Sequence, residues 1–186
     1  PGLTTKVSAR ANSARSDIIV SHMGSLGNSG IDFAKLYAQA AQINRKDNIV
    51  QGTPTLLGQK LEKLKDVQAV VFVDDFVGTG RQLNGSVREL NGPDYKTIRD
   101  KNLKMVIILV SGFVKNLENI ESGFKAINEG NRVHVIDELS DRDKAFSSES
   151  TIWDSDDERN EAKKIAISKG ESLEPKQPLG FGEAEA

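Results

Sequence analysis

Cysteine is absent from the 186 residues. Its absence excludes disulfides and thiolate-ligated metal centres. Histidine occurs only at His22 and His134, too few for a histidine-built metal site. No block of lysine and arginine is present. The net charge is −2, and both signs are scattered along the chain, which argues against a nucleic-acid groove. No apolar run approaches the roughly 20 residues of a membrane-crossing helix, and no segment reads as a signal peptide. A cytoplasmic location is the expectation that these absences leave.

What remains is globular in character. Hydrophobic residues make up 37% and charged residues 28%, as in soluble domains with a packed core. The length suits one domain, with or without a tail. The chain begins at Pro1 rather than Met, so a processed or excised piece is expected. Residues 1–16 are polar and without periodicity, and read as a linker or an edge packed on something else.

From Asp17 the chain alternates between strand and helix signals. "DIIVSHM" (Asp17–Met23) reads as a buried strand. The glycine-rich "GSLGNSG" follows. Phe33, Leu36, Tyr37 and Ala40 then recur at helical spacing, with Ser29 and Asp32 spaced as a capping box that starts the helix near Gly30. A second helix is expected around Leu57–Leu64. The valine-rich run Ala69–Val73 reads as a central strand covered on both faces. Leu83, Val87 and Leu90 mark another helix, closed by Asn91-Gly92-Pro93. "KMVIILVSG" is a strand. Phe113, Leu117, Ile120, Phe124 and Ile127 mark a helix, and "RVHVID" is a further strand. Such alternation implies an α/β fold, three-layered and Rossmann-like, with a mostly parallel sheet and right-handed crossovers. The expected division is a segment over residues 1–16, a core over 17–137, and a charged helix with a loop-rich tail over 138–186. That helix is expected at Asp156–Lys169.

The stretch "AVVFVDDFVGTGRQL" carries chemistry. Two adjacent carboxylates, Asp74 and Asp75, stand where a buried strand is expected to end. Like charges side by side repel and cost free energy. The vicinal hydroxyls of a ribose, or a magnesium ion, would compensate, because both satisfy hard carboxylate oxygens. Gly78, Thr79, Gly80, Arg81 and Gln82 then lead into a helix. Backbone N–H groups at such a mouth, with the helix dipole behind them, cradle a phosphate. An ordinary capping box, with Gln82 bonding back to Thr79, explains the same residues locally, but it leaves Asp74 and Asp75 unexplained. Carboxylates for a sugar beside amides for a phosphate describe a 5-phosphoribosyl site.

"VVFVDDFVGTGRQ" resembles the signature of type I phosphoribosyltransferases. The resemblance implies that Asp74 and Asp75 hold the ribose hydroxyls and that Gly78 to Gln82 bind the 5-phosphate. It also implies that a first loop, here Ser25, Leu26, Gly27, Asn28, Ser29 and Gly30, contacts pyrophosphate. The implied ligand is phosphoribosyl pyrophosphate with Mg²⁺, near Asp74 and Asp75. The pattern departs from the family at Gln82, where Thr or Ser is usual, at Gly78, where a hydroxyl residue is common, and at Phe76, which is bulky. The family's flexible catalytic loop has one candidate, Val50–Lys60, and its base-reading hood is not recognisable. The tail "PKQPLGFGEAEA" resembles phosphoribosyltransferase-like domains of larger prokaryotic proteins, some linked to anti-phage defence. In those the chain continues into another strand, and this polypeptide is then cut short.

Competing motifs fail. No Gly-Lys-Ser/Thr loop supports a nucleotide hydrolase. No lysine follows a late strand, as a receiver domain needs. Gly78-Thr79-Gly80 lacks the third glycine of a dinucleotide fingerprint, and no Gly-x-Ser-x-Gly elbow exists. Arg45 and Lys46 read as a solvated helix end or as pyrophosphate neutralisers. His22 and His134 read as structural, with His22 a candidate base. Trp153 reads as a tail anchor, and Asp154–Glu158 as a helix start favoured by the dipole. Two functions follow: a phosphoribosyltransferase acting on a nitrogen nucleophile, or a non-catalytic sensor or interaction module that keeps the pocket. A protein partner or further domains of a larger chain are expected with either.

Overall fold

The structure is a computed structural model and describes residues 15–23, 30–43, 45–50, 54–113, 115, 117–174, 176, 178 and 179. Four strands form one sheet: β1 (Ile18–His22), β2 (Ala69–Val77), β3 (Lys104–Phe113) and β4 (Arg132–Leu139). They lie in chain order, every pair parallel. The helices are α1 (Gly30–Ala40), α2 (Arg45–Asn48), α3 (Pro54–Lys63), α4 (Arg81–Leu90), α5 (Lys96–Asp100), α6 (Leu117–Ile127) and α7 (Asp156–Leu173). The expected α/β fold with a parallel sheet is what the chain adopts. Among the described residues, no helix is long and apolar enough to cross a membrane.

Alternation along the strands builds two cores, because successive side chains leave opposite faces of the sheet. On one face Ile19, Val70, Phe72, Met105, Ile107 and Leu109 meet the buried leucines and phenylalanine of α3 to α6. On the other, Val20, Val71 and Val73 meet Ala34 and Ala38 of α1. The stripe Leu83, Val87 and Leu90 is buried as its spacing predicts.

Four expectations need correction. β2 runs to Val77 rather than Val73, so both acids lie within the strand. Its continuation comes from β3, which offers Leu109 to Asp74, Ser111 to Phe76 and Gly112 to Val77. Phe113 closes β3 opposite Leu139 and does not enter the following helix. Leu36 does not belong to the buried stripe of α1 and is 62% exposed. Small Ala34 and Ala38 face the sheet instead and let the helix approach it closely. The last helix reaches Leu173, beyond the expected Lys169.

Two buried asparagines tie elements together. The Asn131 side chain accepts from the Met105 N–H (2.9 Å) and donates to the Phe124 carbonyl (2.9 Å). That of Asn48 donates to the carbonyls of Ser16 and Ile18, each at 2.8 Å. After β4, Trp153 stacks on Phe146 and donates to the Ala145 carbonyl, so it anchors the tail onto itself. Ser155 caps α7 by accepting from the Glu158 N–H at 3.2 Å, and the acids of its first turn face the positive end of the dipole.

Candidate functional site

The helix after β1 packs on one face of the sheet, and the helix after β2 packs on the other. Connections that leave neighbouring strands in opposite directions open a crevice at their carboxyl ends. β1 ends at His22, opposite Val73. β2 continues beyond it, so Asp74 and Asp75 emerge where the sheet has no further β1 neighbour.

The two acids are neighbours within β2 and are tied to the backbone next to them. The Asp75 N–H donates to Asp74 Oδ1 at 3.1 Å, and the Phe76 N–H donates to Asp75 Oδ1 at 2.8 Å. Burial pushes the Asp74 carboxyl up to about 6; the Asp75 N–H opposes this, and the Asp75 charge adds to it. Desolvation therefore outweighs the local hydrogen bond, and repulsion from the neighbouring carboxylate is the smaller contribution.

Gly30 is the first residue of α1 and is buried. A Cβ there would come within 3.1 Å of Asp74 Oδ1 and 3.2 Å of both the His22 Cβ and the Val73 carbonyl oxygen. A side chain there would have to push these neighbours back, so glycine eases the close approach of α1 to Asp74. The end of the first loop and the first acid are thus brought together. Ser25, Leu26, Gly27, Asn28 and Ser29 lie outside the described residues, as do residues 51–53 of the catalytic-loop candidate. From Pro54 that candidate is helix, with Leu57 in the core, so it is not a loop over this part. The side chains of Arg45 and Lys46 also lie outside the described residues. His22 is buried beside Gly30, its Nδ1 3.3 Å from the Met23 carbonyl oxygen. His134 is exposed on β4.

The turn after β2 departs from the capping-box expectation. α4 starts at Arg81 with Gly80 at its N-cap, φ 74°, and no side chain caps it. Gln82 is exposed, and among the described residues Thr79 Oγ1 meets the Arg81 N–H at a long 3.5 Å. The local explanation of Gln82 is not realised, and no side chain caps the first turn of α4 among the described residues. A positive φ at Gly80 favours glycine.

Two of the family departures prove to be one. A Cβ at Gly78 would lie 3.3 Å from the Phe76 ring, so the bulky ring and the missing side chain accommodate each other. Phe76 turns edge-on to Phe113 (6.1 Å, 80°), whose face carries Lys144 Nζ at 5.2 Å. No local pattern marks the contact between Gly30 and Asp74, since it joins residues far apart in the chain.

Among the described residues, no group of three or more His, Cys, Asp or Glu could hold a metal ion. Two carboxylates alone fit a Mg²⁺ that arrives with substrate phosphates, the usual mode for this ion, and not a protein cage.

No curated protein and no solved structure matched the chain. A family model described as PRTase-CE matches residues 3–186. The match runs through the segment after β4 as well as the sheet. The chain therefore belongs to the PRTase-CE family, a type I phosphoribosyltransferase-like family.

Proposed function

We propose that this chain binds a 5-phosphoribosyl ligand, phosphoribosyl pyrophosphate with Mg²⁺, in the crevice between β1 and β2. The observation that carries the proposal is the pairing of two adjacent carboxylates with a helix start that no side chain caps a few residues on. Asp74 and Asp75 accept hydrogen bonds from the ribose hydroxyls. The N–H groups of Thr79, Gly80, Arg81 and Gln82 hold the 5-phosphate. The first loop, which ends at Gly30 close to Asp74, takes the pyrophosphate end. Mg²⁺ arriving with the ligand near Asp74 and Asp75 would screen the pyrophosphate charge. Transfer at this site would break the anomeric C–O bond to pyrophosphate and form a C–N bond to a nitrogen nucleophile, whose proton passes to solvent. The residues named here position and stabilise; none is assigned as acid or base.

Gly78 favours a second function, that of a sensor that binds without turnover. Its position in the turn supplies no side chain for chemistry, and the Phe76 ring crowds the space a side chain would need. A role in prokaryotic anti-phage defence belongs to this second proposal and rests on the resemblance of the tail.

Incubation with phosphoribosyl pyrophosphate, Mg²⁺ and a panel of bases separates the two. Pyrophosphate release identifies a transferase. A thermal upshift without release, lost in Asp75→Asn, identifies a sensor. An upshift that Asp75→Asn leaves intact would place the ligand elsewhere and overturn both.

A further inference from the structure

The two edges of the sheet are treated differently. The outer side of β1 is occupied by the chain itself: Ile49 bridges Val20, the Val50 N–H donates to the Val20 carbonyl at 2.9 Å, and Asn48 donates to Ile18. The outer side of β4 pairs with nothing among the described residues. An open edge offers a row of backbone donors and acceptors to any strand that reaches it.

The side chains of β4 indicate which strand that is. Val133 and Val135 pack on the core beneath α6. Arg132, His134, Ile136 and Glu138 alternate with them and are exposed, Ile136 at 72%. Arg132 stands three residues before Val135, and Glu138 three residues after it. The row is therefore complementary to its own reverse. Glu138 makes no ion pair among the described residues. Arg132 uses only Nη1, on the carbonyls of Glu129 and Asn131, which leaves its other N–H groups for a partner.

We infer that two copies of this chain pair antiparallel through β4, about a two-fold axis at Val135, to form one continuous sheet. In that register Arg132 faces Glu138 of the second copy twice, and His134 faces Ile136 twice. Directly opposite residues share a face, so both pairs form on the exposed side. The same patch serves both copies, as a two-fold interface requires.

Sedimentation velocity of the full chain over a concentration series tests this. A dimer that grows with concentration is expected. Arg132→Glu or Glu138→Arg alone sets like charges opposite each other twice, and weakens association by roughly tenfold. The double swap, Arg132→Glu with Glu138→Arg, restores it. The chain has no cysteine, so introduced thiols report the register cleanly. A mixture of His134→Cys and Ile136→Cys chains forms a disulfide-linked dimer on oxidation, and neither variant alone does. Circular dichroism separates unfolding from dissociation in every variant. A monomer at all concentrations, a dimer indifferent to the single reversals, or a double swap that fails to restore pairing would overturn the inference.

Discussion

Asp74 gives up its proton late, and the consequence has a definite sign. Its carboxyl rises from 3.8 to about 6 on folding. Between those values the folded chain binds more protons than the unfolded one, so stability falls as pH rises through that window and is level above it. Asp74→Asn removes the cost. The side chain is only half-buried, and water screens part of the penalty, so a gain of about 1 kcal/mol at pH 8 is expected, or roughly 2–4 °C in Tm. The gain shrinks toward pH 4. Thermal melts of both proteins across this range check it; a variant no more stable at pH 8 would contradict it. The same substitution should abolish phosphoribosyl binding, a stability gain set against a functional loss. Gly80→Ala acts in the opposite direction. Its φ of 74° makes a side chain cost about 1–2 kcal/mol, read as a lower urea midpoint.

Contacts between neighbouring elements set the next tier of stability. A Cβ on Gly112 of β3 would collide with the Val77 side chain on β2. Gly112→Ala is expected to cost about 1–3 kcal/mol by overpacking. Adding Val77→Ala should recover part of that, a coupling that a double-mutant cycle in urea would measure. Additive losses would show that the two residues do not share the space. Asn131→Ala leaves the Met105 N–H and the Phe124 carbonyl buried without partners and should cost about 2–3 kcal/mol. β1, β3, β4 and the buried face of α4 were legible because apolar runs and regular spacing state their faces directly. The true end of β2 was not, because aspartates read as a strand terminus and only the pairing with β3 carries the chain past them. The contact face of α1 was obscured because Leu36 outweighs Ala34 and Ala38 in any hydrophobic count, while close packing on the sheet selects the smaller pair. α2 and α5, at four and five residues, are too short to show a period.

Across the described residues, one sheet with helices on both faces carries β2 beyond the end of β1 and leaves the outer side of β4 unpaired. The candidate site was half legible. Asp74, Asp75 and the turn after them announce themselves by composition. The approach of Gly30 to Asp74 depends on how β1 and β2 align, which no local pattern records. The accommodation of Phe76 by Gly78 likewise emerges only from the folded turn. The fold and the family are shared with phosphoribosyltransferase-like proteins, and the chemistry proposed for this chain depends on whether its crevice accepts the sugar phosphate. The most direct measurement is a crystal structure of the chain with ribose 5-phosphate. The account predicts the phosphate on the amides of Thr79 to Gln82 and the ribose hydroxyls within hydrogen-bond reach of Asp74 and Asp75. A sugar phosphate bound elsewhere, or a crevice left empty at saturating ligand, would contradict it.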